Sequence, residues 1–459
     1  MHFSLSRSLL TLLLIADVPF LMGSEVRSLD PVQLLSDFME VDTINPPGNE
    51  SNAVAFYAAL FDDLGIQYES GESAPGRGNI WARLPGGQLP GLMLLQHTDV
   101  VPADDRYWDT PALKSVERDG YLFGRGAIDM KGTGIAQFMA FVTLAQSKTP
   151  LARDVVFMAT ADEEAGGYFG ADWVIKQHPE AFQGIGFVLN EGGSGNLRDD
   201  QKIFSIEVTQ KVPVWLALSA EDIPGHGSYP RPTSSVTRVI DALSQLRGQP
   251  FPIRVIPEVD RYFKALAATL PAPFNNAFLD IETAVQSPEF VANLHQEYPG
   301  YHALLRDTCS ITMLTGSSKI NVVPPTAEAQ IDCRMLPDRG ADAFIEDVAE
   351  RVEGTGVKVT KIMAFSPAIS DWDTPLLDTI QAQILKRHPD ARFASAVSTG
   401  FTDSHFTRDL GIQSYGFSPM LYLDGETKGV HGNNEAVHIG RYRQAVDDYV
   451  EIVEAFTQL

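Results

Sequence analysis

Three short apolar runs set the first constraint: GLMLLQ (91–96), DVVFMAT (154–160) and IGFVLN (185–190). Each is short and rich in branched or long aliphatic side chains, which suits strands buried on both faces of a sheet. Between the first two lies KGTGIAQFMAFVTLAQ (131–146), whose apolar residues recur at helical spacing. Strands that alternate with helices predict a layered α/β domain.

The rest of the chain divides around that domain. Residues 31–65 read as amphipathic helices interrupted by NPPGN, and the chain ends in a helix over about 440–457. Near residue 203 the pattern changes. FSIEVTQKVPVWLALSA reads as one long strand, SSVTRVIDALSQLRG as a helix, and CSITMLTG with TAEAQIDCRML as a hairpin. A further helix, ADAFIEDVAERVEG, and a last strand, VKVTKIMAF, complete β-α-β-β-α-β, the order of a ferredoxin-like α+β unit. The expected layout is a larger domain in two parts, 25–204 and 367–459, interrupted by a smaller one, the lid, over 205–366. The lid carries an insert at 248–306, rich in proline and aromatics, including Phe251, Phe263, Phe274, Phe278, Leu279 and Tyr301.

Of 459 residues, 44% are hydrophobic, which supports a large core and two domains rather than one. A net charge of −24 argues against nucleic acid and anionic membrane surfaces as partners. Two cysteines, Cys309 and Cys333, provide neither a Cys-x-x-Cys zinc motif nor a disulfide scaffold. Two buried free thiols are expected, with pairing across a hairpin near Asn321 as the alternative. At the N-terminus Arg7 precedes an apolar run, Leu9–Ala16, that is too short to span a bilayer and resembles a signal-peptide core. A leader over 1–24 and export to a periplasm or the exterior are expected, although no Ala-x-Ala cleavage site follows; otherwise the protein is cytoplasmic. No other stretch reads as a membrane span.

The chemistry gathers where the strands end. His97 and Asp99 follow the first run, Glu163 and Glu164 in ADEEAGG the second, and Glu191 in NEGG the third. Asp129, in GRGAIDMKG, precedes a helix, and His431, in GVHGNNE, precedes the last one. Open α/β sheets bind ligands at the C-terminal ends of their strands. A lone His-x-Asp or Glu-Glu pair is usually structural. Five segments of metal-ligand side chains directed at one crevice are not.

Together with TINPPGNE, HTDVVPAD and NVVPP, these motifs resemble the dinuclear zinc peptidases that include aminoacylase, glutamate carboxypeptidase and succinyl-diaminopimelate desuccinylase. The resemblance covers nearly all of the chain after residue 30, and the lid is similar to that of the carboxypeptidase S and N-fatty-acyl amino acid hydrolase branch. It implies two Zn²⁺ per chain, with Co²⁺ or Mn²⁺ as substitutes. His97 and Glu191 would hold one ion, Glu164 and His431 the other, and Asp129 would bridge them. Asp99 would orient His97, as carboxylates do for zinc-bound histidines. Glu163 would be the general base, with the two glutamates of an extended segment pointing opposite ways.

From the lid the resemblance assigns His226 to the carbonyl oxygen of the transition state and Asn321 and Arg334 to a substrate carboxylate, with backbone donors at Gly400. His226 sits in HGS where the family usually has HSS, and the insert could replace the partner subunit of a homodimer, so monomer and dimer both stay open. The implied reaction is hydrolysis of an amide beside a free carboxylate in a small N-acyl amino acid, an apolar acyl group preferred because the insert aromatics could line its pocket. Carboxypeptidase or dipeptidase action on short peptides is the alternative, and a catalytically silent metal-binding paralogue the reading from another class. EGGSGN lacks the second glycine of Gly-x-Ser-x-Gly, which argues against a serine hydrolase.

Overall fold

The computed structural model describes residues 29–458 other than 199 and 424. The leader expected over 1–24 lies outside the described residues. Helix Pro31–Met39 starts with the Asp30 carboxylate accepting from Val32 N–H, which satisfies one of the free donors of its first turn. The NPPGN bend separates it from helix Ser51–Leu64.

The three apolar runs are adjacent parallel strands, Arg153–Thr160, Leu89–His97 and Ile185–Asn190, at the centre of a ten-stranded sheet. Gln413–Gly416 continues the parallel set beyond Ile185–Asn190. Helix Lys131–Gln146 is buried around most of its circumference. It shares one core with the sheet, with Tyr57 and Phe157, and with helix Ile439–Thr457. A helix wrapped on all sides needs no polar stripe, so the apolar residues of this segment run wider than one helical face.

A four-stranded antiparallel sheet forms the second layer system, in the order Thr308–Thr315, Thr326–Met335, Val212–Glu221, Lys358–Ala364. Helices Ser235–Gly248 and Ala341–Arg351 pack on it, which gives the ferredoxin-like arrangement. The single long strand expected here is two strands. Gln201–Gln210 pairs within the large sheet and Val212–Glu221 within the small one, so the chain changes sheets at Lys211, beyond the expected boundary at 205. Thr209-Gln210-Lys211 and Pro213 interrupt the apolar pattern at the junction, but both sides keep strand character, and the choice of pairing partner divides them.

Cys309 and Cys333 stand opposite each other on neighbouring antiparallel strands and form a disulfide. This corrects the expectation of free thiols. Direct cross-strand positions bring Cβ atoms close whatever the sequence separation. The insert folds into short helices around Phe263 and Phe278, whose rings stack with centroids 4.3 Å apart. These pack with Phe274, Tyr298 and Tyr301 against Ile203, Ala394 and Val397 of the large sheet. The insert aromatics therefore form a core of their own, with Phe251 joining the lid core and Leu279 exposed, rather than lining a pocket beside the strand-end residues. No described helix is long and apolar enough to cross a membrane.

Candidate functional site

Because the three central strands are parallel neighbours, their C-terminal ends lie side by side. His97 closes one strand, the Glu163–Glu164 turn follows the second, and Glu191 follows the third. Asp129 reaches the same point from the residue before Met130 and helix Lys131–Gln146, through a cis Asp129–Met130 peptide. His431 arrives from the loop before the last helix, in the left-handed region at φ 53°.

Asp129 sits between the two imidazoles. Its Oδ1 is 3.1 Å from His97 Nε2 and its Oδ2 is 3.1 Å from His431 Nε2. Glu191 Oε1 lies 3.4 Å from His97 Nε2, and Glu164 Oε2 lies 3.0 Å from His431 Nε2. The oxygens of Glu163 and Glu191 also fall within 4.8 Å of each other and of a His97 nitrogen, so Glu163 faces the same space as the other five.

So many carboxyl groups in one buried space repel one another. Burial, reinforced by Glu191, pushes Glu163 well above the usual carboxylate range. Burial, with Asp129 and Glu164 adding, pushes Glu191 up to about 7. Burial opposes charge on His97, but Glu191, Asp129 and Asp99 outweigh it and raise the imidazole well above its ordinary value. Hydrogen bonds to Asp129 and Glu164 raise His431 to about 10. The carboxylates of Asp129, Glu164 and Glu191 and the imidazoles of His97 and His431 offer donors suited to hard-to-borderline divalent cations. Cations placed among them would offset the repulsion that the protein alone leaves in place.

The glutamate pair is not extended. Glu163–Ala165 is a 3₁₀ turn entered through Asp162 at φ 73° and left through Gly166 at φ 117°. The two side chains diverge through rotation about the helical axis, not through strand alternation. Asp99 fixes that turn, because its Oδ1 accepts from Glu163 N–H at 3.2 Å and its Oδ2 from Glu164 N–H at 3.1 Å. Its carboxylate stands 3.5 Å from His97 Nδ1, whereas the Asp99 carbonyl oxygen accepts from that nitrogen at 3.0 Å. Asp99 thus holds the histidine chiefly through its backbone and the glutamates through its side chain.

Two further supports escaped the sequence reading. Glu435, fully buried, accepts from the backbone N–H groups of Gly126, Ile128 and Asp129 and from Arg125. It closes the VHGNNE segment, so the motif carried the signal without the role. Arg77 ties Glu50 and Asp162 together beneath the glutamate turn.

The lid residues stand apart from this cluster. His226 and Val322 pair in a short ladder that also brings Asn321 beside them. A Cβ on Gly227 would meet the Asn321 backbone at 3.3 Å, a tight approach. His226 is exposed. Its Nδ1 accepts from Ser228 N–H at 3.1 Å, which leaves the proton of a neutral ring on Nε2. Arg334 gives Nε and Nη2 to Asp332, while its Nη1 is buried without a hydrogen-bond partner. The guanidinium carbon is 6.0 Å from the ring centroid of Phe401, next in sequence to the exposed Gly400.

The sequence profile of Peptidase family M20/M25/M40 matches residues 93–455. The chain is 28% identical over 375 residues to the N-fatty-acyl-amino acid synthase/hydrolase PM20D1 of Mus musculus, covering 80% of this chain and 74% of that protein. It is 27% identical over 441 residues to aminoacylase-1 of Sus scrofa, covering 93% and 95%. Among solved structures it is similar to the M20 family metallo-carboxypeptidase Sso-CP2 of Sulfolobus solfataricus, with a TM-score of 0.71 at 18% identity over 94% of this chain and all of that one.

Proposed function

The chain belongs to peptidase family M20/M25/M40 and is a hydrolase of that family, and from this premise we propose that it is a zinc amidohydrolase that releases a free amino acid from an apolar N-acyl group. The observation that carries the proposal is the Asp129 carboxylate, with one oxygen turned to each of two imidazoles and a further glutamate beside each. His97, Asp129 and Glu191 would hold one zinc, and Asp129, Glu164 and His431 the other. When bound, such a pair supplies Lewis acidity to water and to the scissile carbonyl.

The chain's own groups do the rest. Glu163 accepts the proton of the attacking water as the water oxygen bonds to the carbonyl carbon. It then delivers that proton to the amide nitrogen as the C–N bond breaks. His226 Nε2–H donates to the carbonyl oxygen as negative charge develops there. Arg334, with Nη1 unpartnered, and Asn321 hold the substrate carboxylate, and Gly400 adds a backbone donor. Apolar preference rests on similarity to a relative named for N-fatty-acyl amino acids. A second reading, cleavage of short peptides, is favoured by one observation: the insert aromatics are spent on their own core.

The deciding experiment measures kcat/KM on zinc-loaded protein for N-acyl amino acids of rising chain length beside a panel of dipeptides. A rise with acyl length supports the first reading. A best substrate among the dipeptides replaces it with the second, and no turnover of either removes both. His226 is exposed in the single chain, and a homodimer in which it serves the neighbouring subunit's cluster is part of the same proposal.

A further inference from the structure

A cavity of about 760 Å³ lies where the insert meets the lid. Its lining includes the apolar side chains of Phe251, Ile253, Val285 and Val291. Arg247, His295, His302 and Arg306 line it as well. This is an unusual concentration in a chain with 59 acidic and 35 basic residues. No carboxylate lies within ion-pair distance of Arg247 or Arg306 among the described residues, and Arg306 Nε is buried with no hydrogen-bond partner. His302 is 8% exposed and stacks on His295 with centroids 4.2 Å apart. No hydrogen bond reaches its ring among the described residues. The acid on the wall, Asp307, is already engaged by Arg254, Arg339 and Leu336 N–H.

Unpaired guanidinium groups beside an apolar wall complement a ligand with one anionic end and a hydrocarbon body. We propose that this cavity binds an amphipathic monocarboxylate, its carboxylate on Arg306 and Arg247 and its chain against Phe251, Ile253 and Val291. A volume of this size accommodates a ligand of drug-like dimensions, within the roughly 300–1,000 Å³ usual for such sites. Lys211 fastens the wall by donating to the carbonyls of Ala303 and Arg306 and to Thr308 Oγ1. None of the strand-end residues lines this cavity.

The test is calorimetric titration of the full chain with dodecanoate, beside acetate, dodecyl maltoside and dodecyltrimethylammonium. Dodecanoate is expected to bind and the other three to bind at least tenfold more weakly. Arg306→Gln should weaken dodecanoate by roughly tenfold or more, the usual effect of losing a charge-assisted contact. Ala292→Trp, on an exposed helical position at the cavity, should remove the binding, and Arg334→Gln, outside the cavity lining, should preserve it. Absence of dodecanoate binding overturns the proposal. So does undiminished affinity in Arg306→Gln or in Ala292→Trp, loss of all binding in Arg334→Gln, or equal affinity for the cationic amphiphile.

Discussion

The strand-end cluster and the lid hairpin carry the two halves of the proposed chemistry under opposite conditions. In the cluster His97, Asp99 and Glu163 are buried, the glutamate turn is pinned by backbone hydrogen bonds to Asp99 and the Asp129 loop by backbone hydrogen bonds to Glu435, and His431 alone of the proposed ligands is exposed. At the hairpin His226 and Asn321 are exposed, and among the described residues Ser228 is the hydrogen-bond partner of the imidazole. The difference is one of preorganisation. A site that must hold mutually repelling carboxylates needs a rigid frame, because ligands displaced by even an ångström lose the cation. A group that only has to meet a developing charge can be delivered later, by lid closure or by a second subunit.

The largest effect that could break this contrast lies within the glutamate pair. Glu163→Gln should retain metal and lose roughly 10²-fold to 10⁴-fold in turnover, the usual contribution of a general base. Glu164→Gln should instead lose metal, and elemental analysis of the two purified variants distinguishes them. The opposite result exchanges the two roles.

Next comes the hairpin. His226→Ala should lower kcat by roughly 10²-fold to 10³-fold with metal content unchanged, as expected for one oxyanion donor. Mixed dimers of this variant with Glu163→Gln should recover activity if the imidazole serves a neighbouring subunit. An unchanged rate for His226→Ala would show that the hairpin takes no part in the reaction.

A smaller effect sharpens the contrast from the buried side. Glu435→Gln removes the charge that clasps the Asp129 loop and leaves the buried Arg125 without its counter-charge, held by the carbonyls of Gly429 and Gly432. Metal affinity should fall about 10-fold to 100-fold, the range for residues that support ligands from behind. Titration of metal-stripped protein with zinc measures it, and wild-type affinity would mean that the loop holds its shape unaided.

The smallest effect is in the lid–insert cavity and concerns stability. Burial, then the charges of His295, Arg306 and Lys211, lower His302 from 6.5 to about 4. Between those pH values the unfolded chain binds a proton that the folded chain does not. This contribution to stability is therefore complete above about pH 6.5 and is lost as pH falls toward about 4. His302→Phe should flatten the decline of Tm with pH in that window relative to the wild type. Parallel curves would show that His302 titrates alike in both states.

The residue types at the three strand ends were legible because local pattern alone produces them: a short apolar run implies a buried strand, and polar ligands at its end imply a crevice. The same holds for the β-α-β-β-α-β order of the lid, which follows from periodicity. The sequence could not say where Gln201–Gln210 and Val212–Glu221 part, since both halves have strand character and the choice between sheets is made by long-range pairing. Nor could it say that Cys309 meets Cys333, that Glu163 and Glu164 occupy a 3₁₀ turn, or that the insert aromatics turn inward. Each of these depends on register, on a single left-handed residue, or on which apolar surface wins a neighbour. Those are energies of contact between segments far apart in the chain, and only the tertiary structure sets them.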